Sequence, residues 1–194
     1  MAVRFVSSNP AKFREVEARL RAHGVTVTFE RRALPEIQAD RLEDVVRGKL
    51  AALSSSPSTR IVEDSGLFLG GLGGFPGVYS AYAYRTIGLA GILRLLEGRS
   101  RRAVFRTVAG VRSGTHTWWV AGESRGTIAA RARGTKGFGY DPIFVPGGRT
   151  ETFAEMTLAE KNRISHRGRA MDAVARRLAR AAGPRPRPRS RMQM

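Results

Sequence analysis

A chain of 194 residues that is 42% hydrophobic is sized for one domain with a real core, and it holds neither a cysteine nor a run of about 18 apolar residues. Disulfides and thiolate metal sites are excluded, no membrane span or secretory leader is expected, and the expected location is the cytoplasm, with any metal held by oxygen or histidine. The 34 basic and 16 acidic side chains leave a net charge of +18, which favours phosphate-bearing partners, large or small, or reflects an arginine-rich, heat-adapted surface.

Residues 2–7 read as a buried first strand. Asn9 and Pro10 then open a helix as N-cap and first helical residue, with Phe13, Val16 and Leu20 inward. Residues 25–30 alternate as a second strand, and residues 40–53 form a second helix. Ile61-Val62 begins a short strand ending at Glu63-Asp64. Six glycines in 66–77 mark a loop. A helix follows at about 87–97, then a hairpin at 103–111 and 116–121, a strand at 124–130 and a long loop at 131–152. Thr157-Leu-Ala-Glu160 is a capping-box pattern, and Ser165 caps a final helix to about 182. The expectation is one α/β domain over 1–182, with helices flanking a central mixed β-sheet, and a basic Pro/Arg tail at 183–194.

Four groups of residues carry chemistry. The turn Ser7-Ser8-Asn9-Pro10-Ala11-Lys12 is either an ordinary capped helix start or a phosphate cradle built on a helix N-terminus. Glu63-Asp64-Ser65-Gly66 is either a strand-ending turn or an acidic pair aimed at a cation. Asp44 and Lys49 are either surface charges of a helix or a metal carboxylate and a phosphate contact. In the last group, Phe138 or Tyr140 can stack on a base beside Gly139, Asp141 can accept N–H groups, and Lys161 can neutralise phosphate. His166 and Arg167 stand at a helix N-terminus, where the helix dipole disfavours cations, and such a local conflict points to a role.

Taken in order, these segments resemble the inosine triphosphate pyrophosphatase family. The resemblance rests on Ser8-Asn9-x-x-Lys12, Glu63-Asp64-Ser65-Gly66-Leu67, Gly74-Phe-Pro-Gly-Val-Tyr-Ser80, Gly137-Phe-Gly-Tyr-Asp-Pro-Ile-Phe144, Phe153-Ala-Glu-Met156, and Lys161 with Ser165-His166-Arg167. Pro35-Glu-Ile-Gln38 and Thr86-Ile-Gly88 look like archaeal members. The resemblance implies conversion of ITP, dITP and XTP to monophosphate and pyrophosphate, Mg²⁺, a homodimer, and an elongated two-lobed fold with the substrate cleft between its lobes. It puts the triphosphate on Ser7 to Lys12 with Lys49 and Ser65, the metal at Asp44 and Asp64 with Asp64 catalytic, and the base among Phe138–Asp141, Lys161, His166 and Arg167. The departures are Ser7-Ser8-Asn9 for the usual Thr-Gly-Asn, Asp44 beside Glu43 for the usual helix glutamate, and Tyr82 for an arginine. The rivals are a Maf-like pyrophosphatase acting on pyrimidine or modified nucleotides, and a basic nucleic-acid-binding module; the enzyme reading requires no nucleic acid.

Overall fold

In the computed structural model, residues 3–54 and 56–181 are described; the Pro/Arg tail falls outside them. Strands β1 (Val3–Ser7), β2 (Val27–Arg31) and β3 (Thr59–Leu69) lie in the order β2-β1-β3, with β1 parallel to both neighbours. The two-residue β4 (Pro76–Gly77) pairs antiparallel with the far end of β3. On the other side of β3 the sheet continues antiparallel through β5 (Arg102–Ser113), β6 (His116–Ile128) and β7 (Phe144–Pro146). The expected mixed sheet flanked by helices is therefore what forms.

Strand alternation decides which helix covers which face. Phe5, Ile61 and Val111 pack against Val16 and Leu20 of α1 (Pro10–Arg21) and, near the chain end, against Met171 and Val174. Their neighbours Val6, Val62 and Val108 pack on the opposite face against Leu42, Val46 and Leu50 of α2 (Leu42–Ala51). The short α3 (Ser80–Thr86) leads into α4 (Gly88–Leu95), whose Ile92 is buried with Leu67, Leu69, Phe105, Phe144 and Phe153. Thr157 and Glu160 close the expected capping box on α5 (Leu158–Ile164). Ser165 Oγ accepts the Gly168 N–H at 3.0 Å and so caps α6 (His166–Ala181).

The strands run longer than their local sequence suggests. β3 does not end at Asp64: it continues to Leu69 because β5 pairs with it throughout, from Arg60↔Arg112 to Leu69↔Ala103. The glycine-rich stretch expected as a loop thus holds the end of β3, a 3-10 turn at Gly70–Leu72 and β4. The two strands expected at 116–121 and 124–130 are one strand, β6, running through Gly122. That glycine serves packing, since a Cβ there would stand 2.2 Å from the His166 carbonyl oxygen and 2.4 Å from the Ala170 nitrogen. Helix α6 can lie this close to β6 only over a residue without a side chain.

Gly122→Ala is therefore expected to push α6 off the sheet and lower stability by about 1–3 kcal/mol, the usual range for overpacking. A urea melt measures it, and an unchanged midpoint would contradict the packing described.

Candidate active site

The site begins as a gap in the sheet. β1 pairs with β3 only from Thr59 to Ile61, and β4 takes up that side again at Leu67. Residues 62–66 of β3 therefore have a free edge inside an otherwise continuous sheet. Glu63, Asp64 and Ser65 sit in this gap. Consecutive side chains on a strand point to opposite faces, so the acidic pair is split. Glu63 and Ser65 face α1 and α6, and Asp64 faces α2.

On the first face lies a buried ionic network. Lys12 of α1 reaches Glu63 at 2.5 Å. Arg167, 2% exposed, donates to Glu15 at 2.6 Å and to Ser65 Oγ at 3.0 Å, and approaches Glu63 at 3.4 Å. Lys161 donates to Glu15 at 2.7 Å and to Asp141. Burial alone would raise the Glu15 and Glu63 carboxyls, but Arg167, with Lys161 at Glu15 and Lys12 at Glu63, holds both below the usual glutamate range. Burial wins at Asp141, whose carboxyl is pushed up despite Lys161. The conflict at the start of α6 is resolved here: two glutamates from other elements offset the dipole that disfavours Arg167. His166 is no cation. Burial, reinforced by Arg167 and Lys161, holds its imidazole well below its ordinary value, and its ring stacks on Phe105 at 4.4 Å.

On the second face Lys49 donates to Asp64 at 2.6 Å and stands 3.0 Å from Glu36. Burial pushes the Asp64 carboxyl above the usual aspartate range, with Lys49 and Lys12 pulling it back. Asp44 does not join them. It lies on the flank of α2 with its side chain 40% exposed and pairs with Arg47 at 3.3 Å. Glu43 is buried but engaged by Arg106 at 2.5 Å. The carboxylate that meets Asp64 across Lys49 is thus Glu36, which precedes α2. Its only signal in the sequence was the Pro35-Glu-Ile-Gln38 match.

A cleft opens over the gap in two connected halves. One, of about 470 Å³, is lined by Ser7, Ser8, Asn9, Arg32, Lys49 and Glu63. The other, of about 420 Å³, is lined by Asp64, Ser65, Phe105, Phe138, Tyr140 and Arg167, among others, including Gly139 and Asp141. Asn9, Lys12, Glu36, Ala81 and Arg85 line both. Pro10 and Ala11 line neither; Lys161 and His166 lie beneath the floor. The helix amides of the first turn are already spent: Asn9 Oδ1 accepts from the Ala11 and Lys12 N–H groups at 2.9 and 3.2 Å. The polar groups that this end of α1 turns to the cleft are therefore side chains, among them Ser8 and Lys12.

Of the two candidate stacking rings, only Phe138 is partly exposed. Tyr140 is 4% exposed and its hydroxyl, pushed up to about 12 by burial, donates to the Ser80 carbonyl at 2.9 Å. Tyr140 is a wall of the cleft rather than a free π-face. Phe138 is held by its own loop: Asp141 accepts the Phe138 N–H at 2.8 Å, and Gly137, at φ 74°, passes where a Cβ would be 2.1 Å from the Asp141 carboxylate.

Residues 3–177 match the model of the Ham1 family. The chain belongs to the Ham1 family. This bears out the resemblance to the inosine triphosphate pyrophosphatases and its archaeal cast. A Pyrococcus horikoshii relative called dITP/XTP pyrophosphatase is 50% identical over 175 residues, spanning 89% of this chain and 94% of its own. A Thermococcus kodakarensis relative of the same name is 48% identical over 178 residues, 90% and 96% of the two chains. The Ham1 protein of Coxiella burnetii superposes with a TM-score of 0.75 at 28% identity, covering 92% of this chain and 98% of that one.

Removing one partner from the buried network leaves a charge uncompensated, so Glu15→Gln is expected to cost about 3–5 kcal/mol at pH 7. The folded-state pKa of Glu15 lies below its unfolded value, so its contribution is present above about pH 4.3 and is lost as pH falls through the folded value. Urea midpoints of the two proteins should converge as pH falls below that point. A gap that persists unchanged into acid would exclude this ionisation as its source.

Proposed function

We propose that this chain hydrolyses non-standard purine nucleoside triphosphates, ITP, dITP and XTP, to the monophosphate and pyrophosphate, and so cleanses the nucleotide pool. The observation that carries the reading is the junction of the cleft. Lys12 and Glu36 line both halves, one rich in cationic and hydroxyl side chains and the other walled by Phe105 and Phe138. A triphosphate and a base have those two characters, and Asp64 and Lys49 stand where they meet. The names of the archaeal relatives support the same substrate class.

The donors at the junction suit Mg²⁺. They are oxygens only, from Asp64 and Glu36. Among the described residues no cluster of three or more His, Cys, Asp or Glu side chains is arranged to hold a metal. Mg²⁺ fits so small a set because it keeps waters and takes phosphate oxygens for the rest. When bound it would offset charge at the phosphates and favour attack by water on the α-phosphorus. Asp64 orients the attacking water or accepts its proton. Lys12, Lys49, Arg32 and Ser8 hold the leaving pyrophosphate, so positioning and electrostatics supply most of the rate.

The base stacks on Phe138. A 6-oxo purine offers an acceptor to the donors of this half of the cleft where adenine carries an amino donor, and a site built on such a bond rejects the mismatch strongly. The working form is a cytoplasmic homodimer. Phe75, Tyr79, Tyr82 and Ile87, all 40% exposed or more, gather around β4 and α3 as the surface that favours a second copy. No helix among the described residues is long and apolar enough to cross a membrane.

Incubation with Mg²⁺ and, separately, ITP, XTP, GTP, ATP, dTTP and UTP is expected to give IMP or XMP with pyrophosphate, ATP being largely spared; GTP shares the 6-oxo group and is not separated by that contact. Release of orthophosphate, or a preference for pyrimidines, would refute the proposal. Asp64→Asn should lower kcat by about 10²–10³-fold with the fold intact. Phe138→Ala should raise KM more than it lowers kcat; full activity in the first variant would remove Asp64 from the mechanism.

A further inference from the structure

The outer face of α6 carries a basic groove that the nucleotide cleft does not use. Two adjoining hollows of about 620 and 530 Å³ run between α6 and β6 and share Ala173 and Arg176. Val120, Ala121 and Gly122 of β6 line them together with Ala173 and Ala181. Five exposed arginines, Arg163, Arg169, Arg176, Arg177 and Arg180, line the two hollows.

The charge of this face is more than a share of the overall +18, because its acids are already committed. Asp172 is held by Arg19 at 2.6 Å and by His23 at 2.7 Å, and Glu123 pairs with Arg106 at 3.4 Å. Arg169 spends one donor on the Glu123 carbonyl rather than on a carboxylate. Among the described residues none of the five arginines has an ion-pair partner. Arg176 and Arg180 are four residues apart on the helix, and Arg177 and Arg180 three; like charges at these spacings repel and weaken a helix by tenths of a kcal/mol each. A polyanion laid along the groove would turn that repulsion into attraction. Arg177 is also fixed in place, its guanidinium standing 4.5 Å from the ring centre of Trp118. From Arg169 to Arg180 the line of cations is about 16 Å long at 1.5 Å per residue. That length faces about five phosphates of one strand at roughly 3.4 Å each.

We infer that this groove is a second binding surface, separate from the nucleotide cleft, that takes the phosphodiester backbone of a nucleic acid without regard to sequence. A row of cations drawn out along the helix, rather than a single concave pocket of donors, favours a polymer over a free phosphate. The described residues that line the hollows include no aromatic ring, so contacts are to the backbone, which positions without specifying. The inference does not depend on the substrate proposed for the cleft.

The test is fluorescence anisotropy of the full chain with a labelled 20-nucleotide oligo(dT), an oligo(U) of the same length and a 20-base-pair duplex, from 50 to 300 mM KCl. Steeply salt-dependent binding to any of the three supports the groove, and the tightest names its source. Arg176→Gln/Arg180→Gln should weaken binding about tenfold at 50 mM KCl and make the log–log salt slope shallower by about 1.4 for a single strand or 1.8 for a duplex. Its nucleotide turnover should equal wild type, which separates this result from a failure of the fold or of the cleft assignment. Arg131→Gln/Arg149→Gln removes the same charge from exposed positions elsewhere and should change the affinity little. Equal losses in the two variants, no loss in the first, or competition by polyglutamate as effective as that by unlabelled oligonucleotide would overturn the inference.

Discussion

Arg167 is the interaction on which the rest of the site depends. It is buried at the start of α6, and its guanidinium joins three parts of the chain: Glu15 on α1, and Glu63 and Ser65 on β3. A charge out of water is tolerated only when paired and hydrogen-bonded. The burial of Arg167 therefore dictates that α1 and α6 lie side by side over the gap in the sheet. Lys161 repeats the device one helix earlier, tying Glu15 to Asp141 and so to the loop that presents Phe138. The floor of the cleft is thus an ionic lattice whose members come from five segments distant in sequence.

The lattice also explains why the acidic pair of β3 divides its labour. Glu63 is neutralised from below by Arg167 and Lys12 and is held ionised far into acid, which suits a fixed structural charge. Asp64, one residue on, faces the other side of the sheet and meets only lysines that also face the cleft. Its carboxyl is pushed upward by burial, with Lys49 and Lys12 pulling it back. Adjacent residues on one strand thereby meet opposite electrostatic environments, a separation that follows from the two-residue period of the strand.

Much of this was legible in the sequence where the signal was local. Asn9 caps α1, Thr157 and Glu160 form their box, and Ser165 caps α6, each through contacts within three residues. The ordered motifs of the cleft were legible as a family pattern. What could not be read was set by partners remote in sequence. The length of β3 is imposed by β5, the passage of β6 through Gly122 by α6, and the position of Asp44 by the rotation of α2, which turns Lys49 inward and leaves Asp44 on its flank. Glu36 was overlooked because it belongs to no regular element and meets Asp64 only through Lys49. Tyr140 misled because an aromatic ring in a glycine-rich loop reads as a binding surface until its neighbours, Tyr84 and Phe105, are known.

The gap in β3 has one more consequence. Unpaired strand edges are where proteins aggregate, since another chain can add itself as a strand. Here the strand edge left without a β partner is bounded at one end by β1 and at the other by β4, leaving only residues 62–66, buried or half-buried and about 17 Å long at 3.4 Å per residue. An incoming strand would have to bend into a slot closed at both ends and set its backbone beside Glu63 and Asp64. The same interruption that breaks the pairing of β1 with β3 therefore leaves no edge long enough to admit a neighbour's chain.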